Sequence, residues 1–144
     1  MKQIITTTLL FGIAIFSNSL FAQELSNEKM KVFQTDKIED IKKVFKKEDF
    51  IKCFDIKGVS YNMFSLSARY ERVNVINYLL ANKISVNKSC SDVTPLMYAA
   101  MYGYTDTVKL FLKNGAKKET KDSNGKTAKD HALENNHPET AAIL

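Results

Sequence analysis

The chain has 144 residues, 21 Lys and Arg against 16 Asp and Glu for a net charge of +5, two Cys and no Trp, with 44% hydrophobic and 26% charged residues. This is the composition of a soluble globular domain; it excludes a disordered chain, a collagen and a disulfide-dense scaffold. The length supports one core rather than two large domains.

Residues 1–22 stand apart from the rest. Met1 and Lys2 give a short positive start, the densest apolar run is Leu9 to Phe16, Ser17-Asn18-Ser19 end it, and Leu20-Phe21-Ala22 offers a cleavage site before Gln23. This order is that of a secretory signal peptide, with cleavage expected after Ala22. An uncleaved anchor is the poorer reading, because the run is short for a span of about 20 apolar residues and is weakened by Thr6, Thr7 and Thr8. No stable membrane insertion is expected after cleavage. Its brevity points to a bacterial signal and so to a periplasmic or secreted protein. Removing it leaves 20 basic against 16 acidic residues.

Residues 23–57 read as an N-terminal helical cap. Ile38, Ile41, Val44 and Phe45 recur at helical spacing, as the buried stripe of a helix pair does. The Lys-rich run from Lys37 to Lys52 is interleaved with Glu39, Asp40, Glu48 and Asp49. Glu39 and Lys43 make an i,i+4 pair, so the run is predicted to be a solvated helix face.

A repeat fills residues 58–144, in units of about 58–89, 90–122 and 123–144. The clearest unit runs Thr94-Pro95-Leu96-Met97-Tyr98-Ala99-Ala100-Met101-Tyr102-Gly103 and continues through Val108-Lys109-Leu110-Phe111-Leu112-Lys113-Asn114-Gly115-Ala116. Thr127 follows Thr94 by 33 residues, behind the turn Asp122-Ser123-Asn124-Gly125, and Ala132 follows Ala99 by 33. Upstream, Phe64, Ala68 and Ile76 precede Leu96, Ala100 and Val108 by 32 each, and Val86-Asn87 closes that unit's outer loop. These residues resemble the ankyrin repeat, whose pattern runs T-P-L-H-x-A-A, then Gly, then V-x-x-L-L, then G-A. The resemblance implies an all-α solenoid of about three helix-turn-helix repeats behind an N-terminal helical cap.

Each repeat residue has a physical task. Thr94 is placed to cap an inner helix and Pro95 to occupy its first position, where a missing N–H costs nothing; Pro138 starts the last outer helix on the same logic. Ala99 and Ala100 let neighbouring helices approach, and Gly103 is suited to the left-handed conformation that ends the inner helix. Val108, Phe111 and Leu112 share one face of the outer helix. Met97 stands where the pattern has His, and Asn62-Met63-Phe64-Ser65 stands where it has T-P-L-H. The first repeat is therefore expected to be the less regular one. The chain's end, Ala141 to Leu144, covers the second repeat with little polar cap, which leaves that end to fray or to form a contact.

Signals for chemistry are weak. Gly125-Lys126-Thr127 imitates the end of a phosphate-binding loop, but Thr120 stands where that motif needs its first Gly. His131 and His137 are six apart and lack neighbouring Cys, so they do not read as a zinc pair. No catalytic residue, cofactor or metal is assigned. Cys53 and Cys90 are two thiols in a protein destined for an oxidising compartment. They map to loops before successive repeats at different repeat positions. Adjacent loops of a stack lie roughly 10 Å apart and a disulfide needs Cα atoms within about 7 Å, so separate thiols are the preferred expectation and a bond the other. The alternative function is a periplasmic redox or metal-dependent protein using Cys53, Cys90, His131 or His137.

The resemblance also implies where a partner sits, since ankyrin proteins meet partners with the turn tips and the open side of the inner helices. Those positions are Val59, Tyr61, Arg69 and Tyr70 in the first repeat, Ser91, Val93, Met101 and Tyr102 in the second, and Lys126, Glu134 and Asn135 in the third. Tyr, Arg and Met are common interface residues, although Tyr70 and Tyr102 can instead simply cover neighbouring helices. The seven Lys from Lys109 to Lys129 favour an acidic partner or serve solubility. Nucleic acid is not expected for an exported chain of modest charge. The reading is a non-catalytic protein-binding module. Small exported bacterial proteins of this kind act as accessory or immunity partners, some with periplasmic catalases and some against toxins or effectors.

Overall fold

A computed structural model describes residues 23–144; the predicted signal segment lies outside the described residues. The described residues begin with strand β1 (Gln23–Glu24) and helices α1 (Asn27–Gln34) and α2 (Ile38–Val44). A 3₁₀ turn (Lys47–Ile51) leads into strands β2 (Phe54–Ile56) and β3 (Val59–Tyr61). Three helix pairs follow: α3 (Met63–Arg69) with α4 (Val73–Ala81), α5 (Pro95–Met101) with α6 (Thr105–Lys113), and α7 (Ala128–Glu134) with α8 (Pro138–Ala142). Helices α3, α5 and α7 pack on one another as an inner row, and α4, α6 and α8 each back their own partner. None of the described helices is long and apolar enough to cross a membrane.

The inner helices begin alike because each carries a capping side chain. Asn62 accepts the Ser65 N–H (2.8 Å), Thr94 the Met97 N–H (3.2 Å) and Thr127 the Asp130 N–H (3.3 Å), filling donors that a helix start leaves without a partner. The irregularity expected of the first repeat is confined to its cap. Asn62 stands in for Thr and α3 is seven residues long like α5 and α7, but it lacks the reciprocal bond that Met97 and Asp130 return to Thr94 and Thr127. Where the pattern has His, the Met97 sulfur instead faces the Thr94 N–H at 3.3 Å, a weak acceptor in place of an imidazole.

The inner helices also end alike. Gly103 adopts φ +70°, and the Tyr104 N–H bonds back to Ala99 O at 2.9 Å. The same left-handed linker is Glu71 in the first repeat and Asn136 in the third, with Arg72 bonded to Ser67 and His137 to Ala132. Asp36 takes this conformation between α1 and α2, so the N-terminal pair imitates a repeat. Its carboxylate then accepts the Asn74 and Val75 N–H groups (both 3.1 Å), capping α4, whose own N-cap residue, Arg72, makes no side-chain cap. Gly103 is the tightest of these linkers, since a Cβ there would run into the His137 ring. Gly103→Ala is therefore expected to cost about 1–2 kcal/mol from the backbone alone, plus the displacement of His137. Urea unfolding of the variant measures it; an unchanged midpoint would contradict the geometry.

The core runs unbroken from the N-terminal helices through the repeats. Ile41 and Phe45 are buried as the cap stripe predicts, while Ile38 and Val44 lie half-buried against them. The Lys-rich face carries Lys42–Glu39 (3.2 Å) and Lys43–Asp40 (3.1 Å), i,i+3 pairs rather than the expected Glu39–Lys43 contact. Asp49 is buried and held by Lys29 at 2.7 Å.

Two features depart from the all-α expectation and its separate thiols. The first is a three-stranded sheet in the order β1-β2-β3, with β1 parallel to β2 and β2 antiparallel to β3, Phe54 opposite Tyr61. Lys57 and Gly58 turn the β2–β3 hairpin with φ of +53° and +79°, the two positive values a tight two-residue turn requires. The second is a disulfide between Cys53 and Cys90, with Cα atoms 5.7 Å apart. The spacing expected between stacked loops does not apply, because Cys53 enters the hairpin instead of sitting on a repeat tip. The hairpin register sets Cys53 beside Asn62, and the Asn62 amide donates to Lys88 O. Lys88 Nζ in turn donates to Ile51 O at 2.8 Å. These two ties bring residue 90 to residue 53.

Candidate protein-binding surface

The C-terminal ends of α3 and α5 lie side by side, and their last residues form a cluster around one cation. Arg69 Nη1 donates to the Tyr61 hydroxyl at 2.8 Å. The guanidinium stands 5.6 Å from the Tyr61 ring centre and 5.8 Å from those of Tyr70 and Tyr102. Tyr61 packs on Tyr98 (5.4 Å) and Tyr102 stacks on Tyr104 (5.8 Å, 20° between planes). Cation–π attraction holds such an arrangement without a carboxylate, and no carboxylate pairs with Arg69 among the described residues. Burial pulls the Arg69 pKa down, but Tyr61, Tyr102 and Tyr70 outweigh it and hold it above its ordinary value. Burial, reinforced by Tyr61, pushes the Tyr98 hydroxyl up to about 12.

The eleven positions expected to meet a partner divide by what their side chains already do. Val59, at the hairpin, is 41% exposed and Tyr102 is 37% exposed, whereas Tyr61 is only 4% exposed and supports Arg69 from beneath. Arg69, Tyr70 and Met101 are half-buried. Ser91 and Val93 lie half-buried in the loop before α5, which the disulfide joins to the entrance of the hairpin carrying Val59. In the third repeat Lys126 is bound to Glu134 at 2.7 Å. Asn135 is exposed, and its amide donates to His131 O at 2.8 Å, so this side chain also finishes α7. Tyr98 and Tyr104 belong to the cluster although the repeat positions did not point to them. Tyr98 lies inside the inner helix that Thr94 caps, and Tyr104 lies just past the Gly that ends it.

The tips of successive repeats are bonded to each other, which fixes the surface. Asp92 accepts the Ser123 N–H (2.9 Å), and Asn87 binds both Gly115 O (2.8 Å) and the Lys117 N–H (2.9 Å). The family model for ankyrin repeats matches residues 45–122 and 64–144, in three copies. The chain belongs to the ankyrin repeat family. It is also similar to two far longer proteins. It is 34% identical over 89 residues to the E3 ubiquitin-protein ligase hecd-1 of Caenorhabditis elegans, and 32% identical over 97 residues to the E3 ubiquitin-protein ligase Ufd4 of Drosophila melanogaster. The matches cover 60% and 65% of this chain but only 3% of each ligase. Ankyrin repeats are protein-binding modules, and this stack has the two-layer form that such a module needs.

The residues of the redox or metal alternative are engaged in holding the ankyrin stack together. Cys53 and Cys90 are joined to each other. His131 Nε2 meets Asp122 Oδ2 at 2.8 Å, and the His137 ring fills the space beside Gly103. No group of three or more His, Cys, Asp or Glu side chains among the described residues is placed to hold a metal ion.

Asp122 organises the third tip. It accepts the Asn124 and Lys126 N–H groups, both at 2.9 Å, as well as His131. The Lys126 N–H, with His131 and Asn124, holds its pKa below the ordinary 3.8. Ser123 does the same for Asp92, and the Thr127 N–H for Asp130. At Asp49 burial pushes upward, but Lys29, the Lys46 N–H and Lys52 prevail and the pKa again falls below 3.8. A carboxylate with a lowered folded pKa adds stability above its unfolded value, and that contribution is lost as pH falls through the folded value. Melting temperature is therefore expected to hold steady from neutral pH to just above 4 and to fall below it. Asp122→Asn should flatten the fall. Thermal melts by circular dichroism at successive pH values check this; a melting temperature constant to pH 3 would contradict it.

Proposed function

We propose that this protein is an exported binding module that engages another protein through the aromatic surface spanning its first two repeats, without catalysis of its own. The observation that carries the reading is the Arg69–tyrosine cluster, which two successive inner helices and the β3 strand assemble. Rigid Tyr side chains give large contact area at little entropic cost, and Tyr and Arg are the usual anchors of protein interfaces. The cross-repeat bonds and the disulfide pre-organise the surface, which lowers the cost of binding.

Two features support export. One is the charge, apolar run and small-residue order of residues 1–22. The other is the Cys53–Cys90 bond, since such bonds persist chiefly in oxidising compartments. Within that setting the role is that of an accessory or immunity partner, of a periplasmic catalase or of a delivered toxin or effector. A haem enzyme recovered with the tagged protein from periplasmic extract supports the first, and a tight one-to-one complex with a lytic effector the second.

Truncating an anchor tests the surface. Tyr102→Ala is expected to weaken the complex by about 1–3 kcal/mol, read by titration calorimetry with the purified partner. An unchanged affinity in a variant that melts like the parent would remove this surface as the site.

A further inference from the structure

Resting on that reading, we propose that Arg69 is a receptor for a carboxylate side chain, so that the partner docks an Asp or Glu into the tyrosine cage. The guanidinium has five N–H donors, and the Tyr61 hydroxyl engages one of them at 2.8 Å. Its neighbours Tyr61, Tyr70 and Tyr102 supply π faces and a hydroxyl but no negative charge. It is half-buried, so water screens it less than it screens the exposed lysines. Of the two cations among the eleven surface positions, Lys126 is already neutralised by Glu134 at 2.7 Å. Among the described residues, Arg69 is thus the one of these two cations without a carboxylate partner.

The chemistry of the occupant follows. A planar guanidinium matches a carboxylate through two parallel N–H···O bonds. The charge to be balanced is a single one, which a carboxylate supplies; a phosphate carries up to two and would leave an excess negative charge beside the rings. The cage is also already built. The Tyr61 hydroxyl fixes one edge of the fork, Tyr98 backs Tyr61, and Tyr104 backs Tyr102. Ordering of the arginine has been met in folding instead of at the moment of docking.

The test uses the mature chain and two capped tripeptides, acetyl-Ala-Asp-Ala-amide and its isostere acetyl-Ala-Asn-Ala-amide, followed by NMR up to roughly 50 mM, since a single carboxylate contact is expected to bind in the millimolar range. The Asp peptide is expected to shift the Arg69 Nε–Hε signal and the Tyr61 and Tyr102 ring signals saturably. The Asn peptide should bind at least about tenfold more weakly. Arg69→Gln should abolish the response, Arg69→Lys should keep part of it, and inorganic phosphate should bind no more tightly than the Asp peptide. Equal shifts from both peptides, a response that survives Arg69→Gln, tighter binding of phosphate, or no shift at all would each overturn the proposal. Should a variant fail to fold, the Asp–Asn comparison on the parent protein decides by itself. The outcomes also separate the two readings. A partner that still loses affinity on Tyr102→Ala while the Asp peptide fails keeps the binding surface and removes the carboxylate receptor. A titrating Asp peptide with a partner indifferent to Tyr102→Ala does the reverse.

Discussion

Replacing Cys53 and Cys90 by Ser, or reducing the bond, is expected to cost roughly 4 kcal/mol of folding stability. The bond closes a loop across 37 residues, and the chain-entropy cost of such a loop in the unfolded state lies between that of short and very long loops. The loss is a large fraction of the 5–15 kcal/mol that holds a typical domain together. It should be local in its first effects, because the bond joins the hairpin entrance to the loop before α5. The hairpin itself has few residues to bury: Phe54 and Tyr61 are its buried side chains, while Val59 is exposed. Released from Cys90, it retains the Asn62–Lys88 and Lys88–Ile51 hydrogen bonds and the packing of Phe54 and Tyr61. Urea unfolding with and without reductant measures the difference. A shift under 1 kcal/mol would mean that those bonds and Phe54 hold the hairpin without help.

Phe111→Ala is expected to cost about 3–5 kcal/mol. Phe111 is fully buried on α6 and meets Phe64 of α3 edge-on, with centroids 6.0 Å apart and planes at 81°. The contact joins the outer helix of one repeat to the inner helix of the repeat before it. Truncation therefore opens a cavity between units as well as within one. In a stack whose stability is the sum of units and their interfaces, this should also broaden the unfolding transition. Leu133→Ala, at a side chain 52% exposed on α7, serves as the comparison and should stay within about 0.5 kcal/mol. Equal effects of the two substitutions would contradict the nesting of repeats. In the double variant with Phe64→Ala, a coupling of about 0.5–1.5 kcal/mol is expected for the aromatic pair.

The repeats were legible in the sequence because each position follows from a local rule. Thr94, Pro95, Gly103 and Pro138 announce helix ends, and the spacings of 32 and 33 residues announce the stack. Phe64, Ala100 and Phe111 fell in the core for the same reason. What the sequence concealed depends on contacts between distant segments. The hairpin has a local trace, the alternation Phe54-Asp55-Ile56 and Val59-Ser60-Tyr61 about Lys57-Gly58, but Lys in a left-handed turn is a weak signal beside Asn-Gly or Asp-Gly. Without the hairpin, Cys53 had no position relative to Cys90, and spacing between repeat loops was the wrong measure. Asp36 drew no notice in the sequence, and its capping of α4 shows only in the packing of the N-terminal helices. The proposed surface was half legible. The repeat register pointed to Arg69, Tyr70 and Tyr102, which the fold gathers into one cluster, but it offered Tyr61 as an open contact where the fold buries it. It gave no hint that Tyr98 and Tyr104 complete the cage.

Hydrogen–deuterium exchange of the protein alone and with its purified partner is the most direct measurement of where binding occurs. Protection is expected at the C-terminal ends of α3 and α5, from Arg69 through Tyr70 and from Met101 through Tyr104, and along the β2–β3 hairpin. Protection confined to the outer helices α4, α6 and α8 would contradict binding on the open face of the stack.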